Sequence, residues 1–232
     1  MRTPPSRRQV TAARTAGAAR WNVVRKALLA AGPLSSALYV IATDVVGAAR
    51  WDHYHRAQRM VSDLFAVGSP ARPVLNDLMK AYTALTVAFG AGVWASAGTQ
   101  RALRVSGGML AGYGVSNIVA GFFPLELDDD ASVPMHVVVT NAQLVLMLGA
   151  MGSAAAGLHG RLRGYCIASL ITSVAMGAGA FAAAPRGPSL VLGVGERISI
   201  GAFLLWTAVL AVALWRSPGA GNRSGGTPYV TG

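Results

Sequence analysis

Six runs of about twenty mostly apolar residues, each ended by a short polar break, leave few folds open to this chain. They fall at about 27–49, 74–97, 102–123, 135–158, 164–184 and 194–215. Runs of that length match the hydrocarbon thickness of a bilayer when helical. Within lipid a helix satisfies its own backbone hydrogen bonds. Barrel strands would instead alternate over about ten residues, and these runs do not. The expected fold class is therefore all-α, a polytopic transmembrane helix bundle with six spans. Composition agrees: 53% of the residues are hydrophobic, 12% are charged and the mean hydropathy is +0.46. Soluble domains carry roughly twice that charged fraction.

The division follows from the same runs. Residues 1–26 read as a basic cytoplasmic tail, 27–215 as the transmembrane domain and 216–232 as a second tail, both tails disordered by composition. Pro-Ser-Arg-Arg at 5–8 weakly imitates a twin-arginine export signal. With five further runs behind it, the first run reads as a retained span.

Charge sets the threading. Arg2, Arg7, Arg8, Arg14, Arg20, Arg25 and Lys26 precede the first run. Arg101 with Arg104, Arg161 with Arg163, and Arg216 with Arg223 fall on the same side of a six-span path. Glu126, Asp128, Asp129 and Asp130 emerge on the other. The positive-inside rule then puts both termini in the cytoplasm of a cell whose inner membrane holds the protein. Arg50, Arg56, Arg59 and Arg72 in the first outer loop run against that bias. The net charge of +11 does not point to nucleic acid, because the cations lie between spans rather than on one surface. Membrane lipids are the expected partner.

Charged groups inside or beside spans need a reason to be there. Asp44 lies in the first span, about five residues from its outer end, and Glu196 and Arg197 open the sixth. Arg197 needs an acidic partner, for which Asp44, Asp63 and Asp128 are the candidates. Neighbours on a helix point about 100° apart, so Glu196 need not share that partner. Ser62 and Asp63 lie in an amphipathic outer loop, and His136 opens the fourth span beside the acidic hairpin. All six of these map to the outer half. They outline an outward-facing polar pocket for a small polar solute or a lipid head group: Asp44, Glu196 and Arg197 as floor, Ser62, Asp63 and His136 as rim.

Two other readings stand beside the non-enzymatic pocket. A hydrolase or lipid-modifying enzyme would use His136 with Asp63 or Asp128, and a Ser62–His136–Asp63 relay can be drawn, but no nucleophile elbow accompanies it. A structural or assembly subunit would use the same charges to lock its loops. "WDHYHR" at 51–56 lacks a third ligand for a metal, and Trp51 and Tyr54 read as an interfacial belt. No cofactor motif is present. Cys166, the sole cysteine, reads as a small lipid- or helix-facing side chain. Small residues recur every fourth position at Gly108–Gly112–Ser116–Ala120, Gly149–Ser153–Gly157 and Ser169–Ser173–Gly177. Such faces pack helices within one bundle and also suit a homo-oligomer. The two halves show no internal repeat.

Taken in order, "RMVSDLFAVGSPARPVLNDLMKAYTALTVAFGAGVW", "GVSNIVAGFFPLELD", His136 and "GVGERISIGAFLLW" resemble the bacterial and archaeal domain-of-unknown-function family 998 over about residues 30–215. In that family an Ile-Ser-Glu/Asp-Leu-Gly segment follows the first span, an acidic Gly-x-Phe-Pro segment precedes a histidine, and a Glu-Arg pair opens the last span. Phe65 stands where the family usually has glycine, and "FFPLELDDD" is longer and more acidic than the common form. The resemblance implies a six-helix membrane protein with outer-face motifs. It implies no activity.

Overall fold

The computed structural model describes residues 7–126 and 133–217. Asp128, Asp129 and Asp130 lie outside the described residues. Six α-helices run through the rest: α1 Arg7–Val40, α2 Arg72–Ser96, α3 Arg101–Ala120, α4 Val133–Gly157, α5 Gly160–Ala183 and α6 Leu190–Arg216. Each packs on its successor in sequence and α6 returns to α1, closing a ring of antiparallel neighbours. The links at 97–100 and 158–159 are short enough to force that antiparallel order.

The ring is sealed by aromatic side chains. Tyr39 packs on Tyr82, Tyr113 meets Phe203 edge-on, and Phe203 stacks on Trp206, with centroids 5.1, 5.2 and 5.8 Å apart. Trp206 is fully buried and donates its indole N–H to Cys166 Sγ at 3.2 Å. Cys166 therefore faces a helix rather than lipid.

Elsewhere the interior is lined by small and hydroxylated residues. A Cβ at Gly90 would stand 2.6 Å from the backbone of Ala111, and one at Gly107 would stand 2.7 Å from the Gly90 carbonyl. The closest α2–α3 approach thus uses Gly90 and Gly107, not the Gly108–Gly112 face, which meets the side chains of Trp94 and Leu146. Ser106 Oγ donates to the Ala150 carbonyl across α3–α4 at 2.8 Å. Ser173 and Ser199 exchange hydroxyl-to-carbonyl bonds across α5–α6 at 3.0 and 2.8 Å.

The exterior is apolar instead. Only 22% of the most hydrophobic window of α4, and the same share of α5, is buried within the protein. Val145 and Ile171 are among the residues left outside. Water would not tolerate so continuous an apolar surface, whereas hydrocarbon does. By length and composition four stretches can cross a membrane: Thr15–Gly47, Pro134–Gly157, Gly160–Arg186 and Leu190–Arg216. The six expected spans are thus matched by four helices on this criterion. α2 carries the exposed Asp77–Lys80 ion pair at 2.7 Å, and α3 begins with Arg101 and Arg104. These charges thin the apolar content of both helices.

Helix α1 begins at Arg7, well inside the stretch expected to be a tail. Residues 11–20, TAARTAGAAR, are mostly Ala and Arg, both strong helix formers, and they extend the first span toward the N-terminus. Arg25 also departs from its expected place on a solvated flank. It is 2% exposed and caps the end of α6, donating to the carbonyls of Leu214 at 2.9 Å and Ser217 at 3.3 Å. It also reaches Ser96 Oγ on α2 at 3.3 Å. A cation at a helix C-terminus meets carbonyls that have no intrahelical partner.

Candidate functional site

Beyond Val40 the first helix loosens into a π-helical stretch, Ile41–Gly47, which carries Asp44. Such widened turns concentrate at functional positions because they re-aim side chains. The chain then folds back over the bundle as a cap, residues 48–71, before α2 begins. A 3-10 turn at Ser62–Phe65 lies within it.

What holds the cap down is Arg197, two turns into α6. Its Nε donates to Asp44 Oδ1 at 3.0 Å, and its Nη2 donates to the Tyr54 hydroxyl at 2.7 Å. Its Nη1 donates to the carbonyls of Arg59 at 2.9 Å and Gly193 at 3.2 Å. One planar fork thus joins the π-helical stretch after α1, α6 and two points of the cap, a geometry lysine cannot reproduce. Tyr54 passes the link on, its hydroxyl donating to the Met60 carbonyl at 2.7 Å. Burial pushes the Tyr54 phenol up to about 12, although its bond from Arg197 pulls the other way. It therefore stays a neutral donor at any physiological pH.

Glu196, one residue earlier, faces elsewhere. Its Oε2 accepts the Val61 backbone N–H at 2.5 Å, at the start of the 3-10 turn. A carboxylate there meets N–H groups that the turn leaves unpaired. Adjacent residues of one helix therefore grip two different stretches of the cap.

Two of the cap's own cations, Arg56 and Arg59, are used in folding it. Arg56 donates to the Asp44 carbonyl at 2.8 Å. Arg59 lies over the Trp51 ring at 5.1 Å and faces Asp63 at 3.8 Å. Trp51 stacks on Tyr54 at 5.6 Å. So Tyr54, expected in an interfacial belt, is buried inside the cap instead, at 7% exposure. Burial raises the Asp63 carboxyl above its usual range, opposed by Arg59.

The cap also sits directly on α6. Ser189 donates its N–H to the Gln58 carbonyl at 3.0 Å. A Cβ at Gly193 would stand 2.5 Å from the Ala57 carbonyl group. Gly193 is thus required by close approach of two backbones. On the far side, Val67 donates its N–H to the Leu125 carbonyl at 2.8 Å, tying the cap to the segment after α3.

Asp44, Glu196 and Arg197 come together under the cap. Ser62 and Asp63 lie on the cap next to the Glu196 contact, and Ser62 Oγ is buried with no hydrogen-bond partner among the described residues. His136 stands apart, in the α3–α4 corner, with Nδ1 3.4 Å from the Phe123 carbonyl and Nε2 3.5 Å from Thr140 Oγ1. No described bond joins it to Ser62 or Asp63. Two surface grooves lie elsewhere, between α1 and α6 and between α5 and α6, and their linings are largely apolar. Tyr54 and Gly193 escape sequence reasoning. The one signal for Tyr54 was its place in an arginine-rich loop facing an unpaired span arginine.

A helix bundle with a continuous apolar exterior, and with Asp44, Glu196 and Arg197 held under a small folded cap, is a multi-pass membrane protein. Residues 12–213 match the model of the family described as protein of unknown function (DUF998), and the chain belongs to that family. No curated protein and no solved structure matches it.

Proposed function

We propose that the chain crosses the inner membrane six times, with both termini cytoplasmic, and that it is a non-enzymatic structural or assembly protein presenting the 48–71 cap on the outer face. The observation that carries this reading is how far Arg197 is engaged: four of its five N–H groups bond to Asp44, Tyr54 and two carbonyls. A cation with four bonds to three separate stretches of chain holds those stretches together. The unpaired side-chain hydroxyl of Ser62 and the partial exposure of Asp44, 30% of its side chain, favour a second reading. In it, the cap covers a polar floor that receives a small polar solute or a lipid head group once it lifts.

Arg197→Gln and Asp44→Asn separate the two. The structural reading expects both variants to unfold at lower temperature in detergent and to expose the cap to protease. It is wrong if both melt like the wild type while a co-purifying lipid or solute is lost; that outcome selects the pocket.

A further inference from the structure

The end of the bundle away from the cap carries a groove of about 260 Å³ between α1 and α6. Leu29, Ala30 and Pro33 form one wall, and Val212 and Trp215 the other. Arg216 stands at its mouth. Lys26 lies there too, with Nζ 5.7 Å from the Trp215 ring centroid. Arg216 has no hydrogen-bond or ion-pair partner among the described residues.

We infer that this groove binds one anionic phospholipid, with an acyl chain along the apolar walls and the phosphate held between Lys26 and Arg216. The inference rests on the chain lying in a membrane, but not on the cap's role.

Three observations support it. First, the walls are apolar side chains within helices α1 and α6, both of which can span hydrocarbon, so the filling must be apolar too. Second, the charge at the mouth has no carboxylate beside it on the helices that line the groove. Asp44 is the first acidic residue of the chain and Glu196 the last, so neither the first half of α1 nor the second half of α6 carries a carboxylate. An anion from outside the chain fits there, and beside apolar walls that face hydrocarbon a lipid phosphate is the anion at hand. Third, the neighbouring Arg25 is occupied by the end of α6. That contact holds α1 against α6 and so fixes the distance between the groove's walls. Along α1 the seven steps from Lys26 to Pro33 rise roughly 10 Å, enough for part of a chain below a phosphate.

The test places the full-length protein in nanodiscs of phosphatidylcholine with one-fifth phosphatidylglycerol and counts retained lipids by native mass spectrometry. Incorporation into the disc reports membrane embedding separately from lipid choice. Wild type should enrich phosphatidylglycerol, and Lys26→Gln with Arg216→Gln should lower the retained ratio of phosphatidylglycerol to phosphatidylcholine by about tenfold or more, as expected for two cations near a phosphate. Ala30→Phe fills the groove without changing charge and should displace the lipid as well. Arg101→Gln with Arg163→Gln, at the same end but off the groove, should change it by less than about twofold. Gel filtration and a melting curve establish that each variant is folded. The inference is overturned if wild type shows no preference or if the Lys26/Arg216 variant keeps its lipid. It is equally overturned if Ala30→Phe binds lipid as wild type does, or promotes monomers from a dimer seated in the groove. Equal loss in the Arg101/Arg163 control would replace the site with the general field of the basic end.

Discussion

At the scale of single residues, the cap depends on a few bonds that can be cut one at a time. Tyr54→Phe removes a hydroxyl that accepts from Arg197 and donates to Met60, and should cost about 1–3 kcal/mol in chemical or thermal unfolding. A variant as stable as the wild type would mean that Arg197 does not need that partner. Asp63 behaves in the opposite sense. Its folded carboxyl is raised by burial above its ordinary 3.8. Its stabilising contribution is therefore present below that value and is lost as pH rises through the raised one. Asp63→Asn should match wild type near pH 3 and equal or exceed it in melting temperature at pH 7. A loss of stability at pH 7 alone would show that the Arg59 contact outweighs burial. The need of Arg197 for a carboxylate was legible in the sequence, because an arginine inside a span must be paired. Its choice of Asp44 over Asp63 was not legible. That choice depends on the π-helical stretch aiming Asp44 inward, which leaves no local signature, whereas Asp63 faces Arg59 four residues before it, a spacing the sequence does carry.

At the scale of elements, the placement of the helices was legible and their mutual fit much less so. Runs such as 194–215 lie within α6 because twenty apolar residues leave no other option. The small-residue faces at Gly149 and Ser173 do pack within the bundle, against Met109 and Ser199. The closest helix approach nevertheless falls at Gly90 and Gly107, because four-residue spacing marks every small face and cannot say which one meets a neighbour. Gly193 shows the same limit, since only the returning cap explains it. Gly193→Ala would force Cβ into the Ala57 carbonyl and should lift the cap from α6, destabilising the protein by about 1–3 kcal/mol. Hydrogen exchange should quicken at residues 54–62 while the core helices stay protected. Unchanged exchange in the cap would show that it does not rest on that backbone contact.

At the scale of the whole molecule, two arginines tie opposite ends of the α1–α6 pair. Arg197 reaches from α6 to Asp44 beyond the end of α1, and Arg25 reaches from α1 to the last carbonyls of α6. The antiparallel pairing of these two helices makes the arrangement reciprocal. Acidic residues fall only between Asp44 and Glu196, so the end opposite the cap is basic. That asymmetry is the physical ground for the proposed six crossings with the cap outside. Labelling in intact cells tests this threading most directly. In a Cys166→Ser background, a cysteine replacing Asp52 on the cap should react with a membrane-impermeant maleimide, whereas one replacing Arg161 should react only after permeabilisation. The reverse pattern would invert the map and place the cap in the cytoplasm.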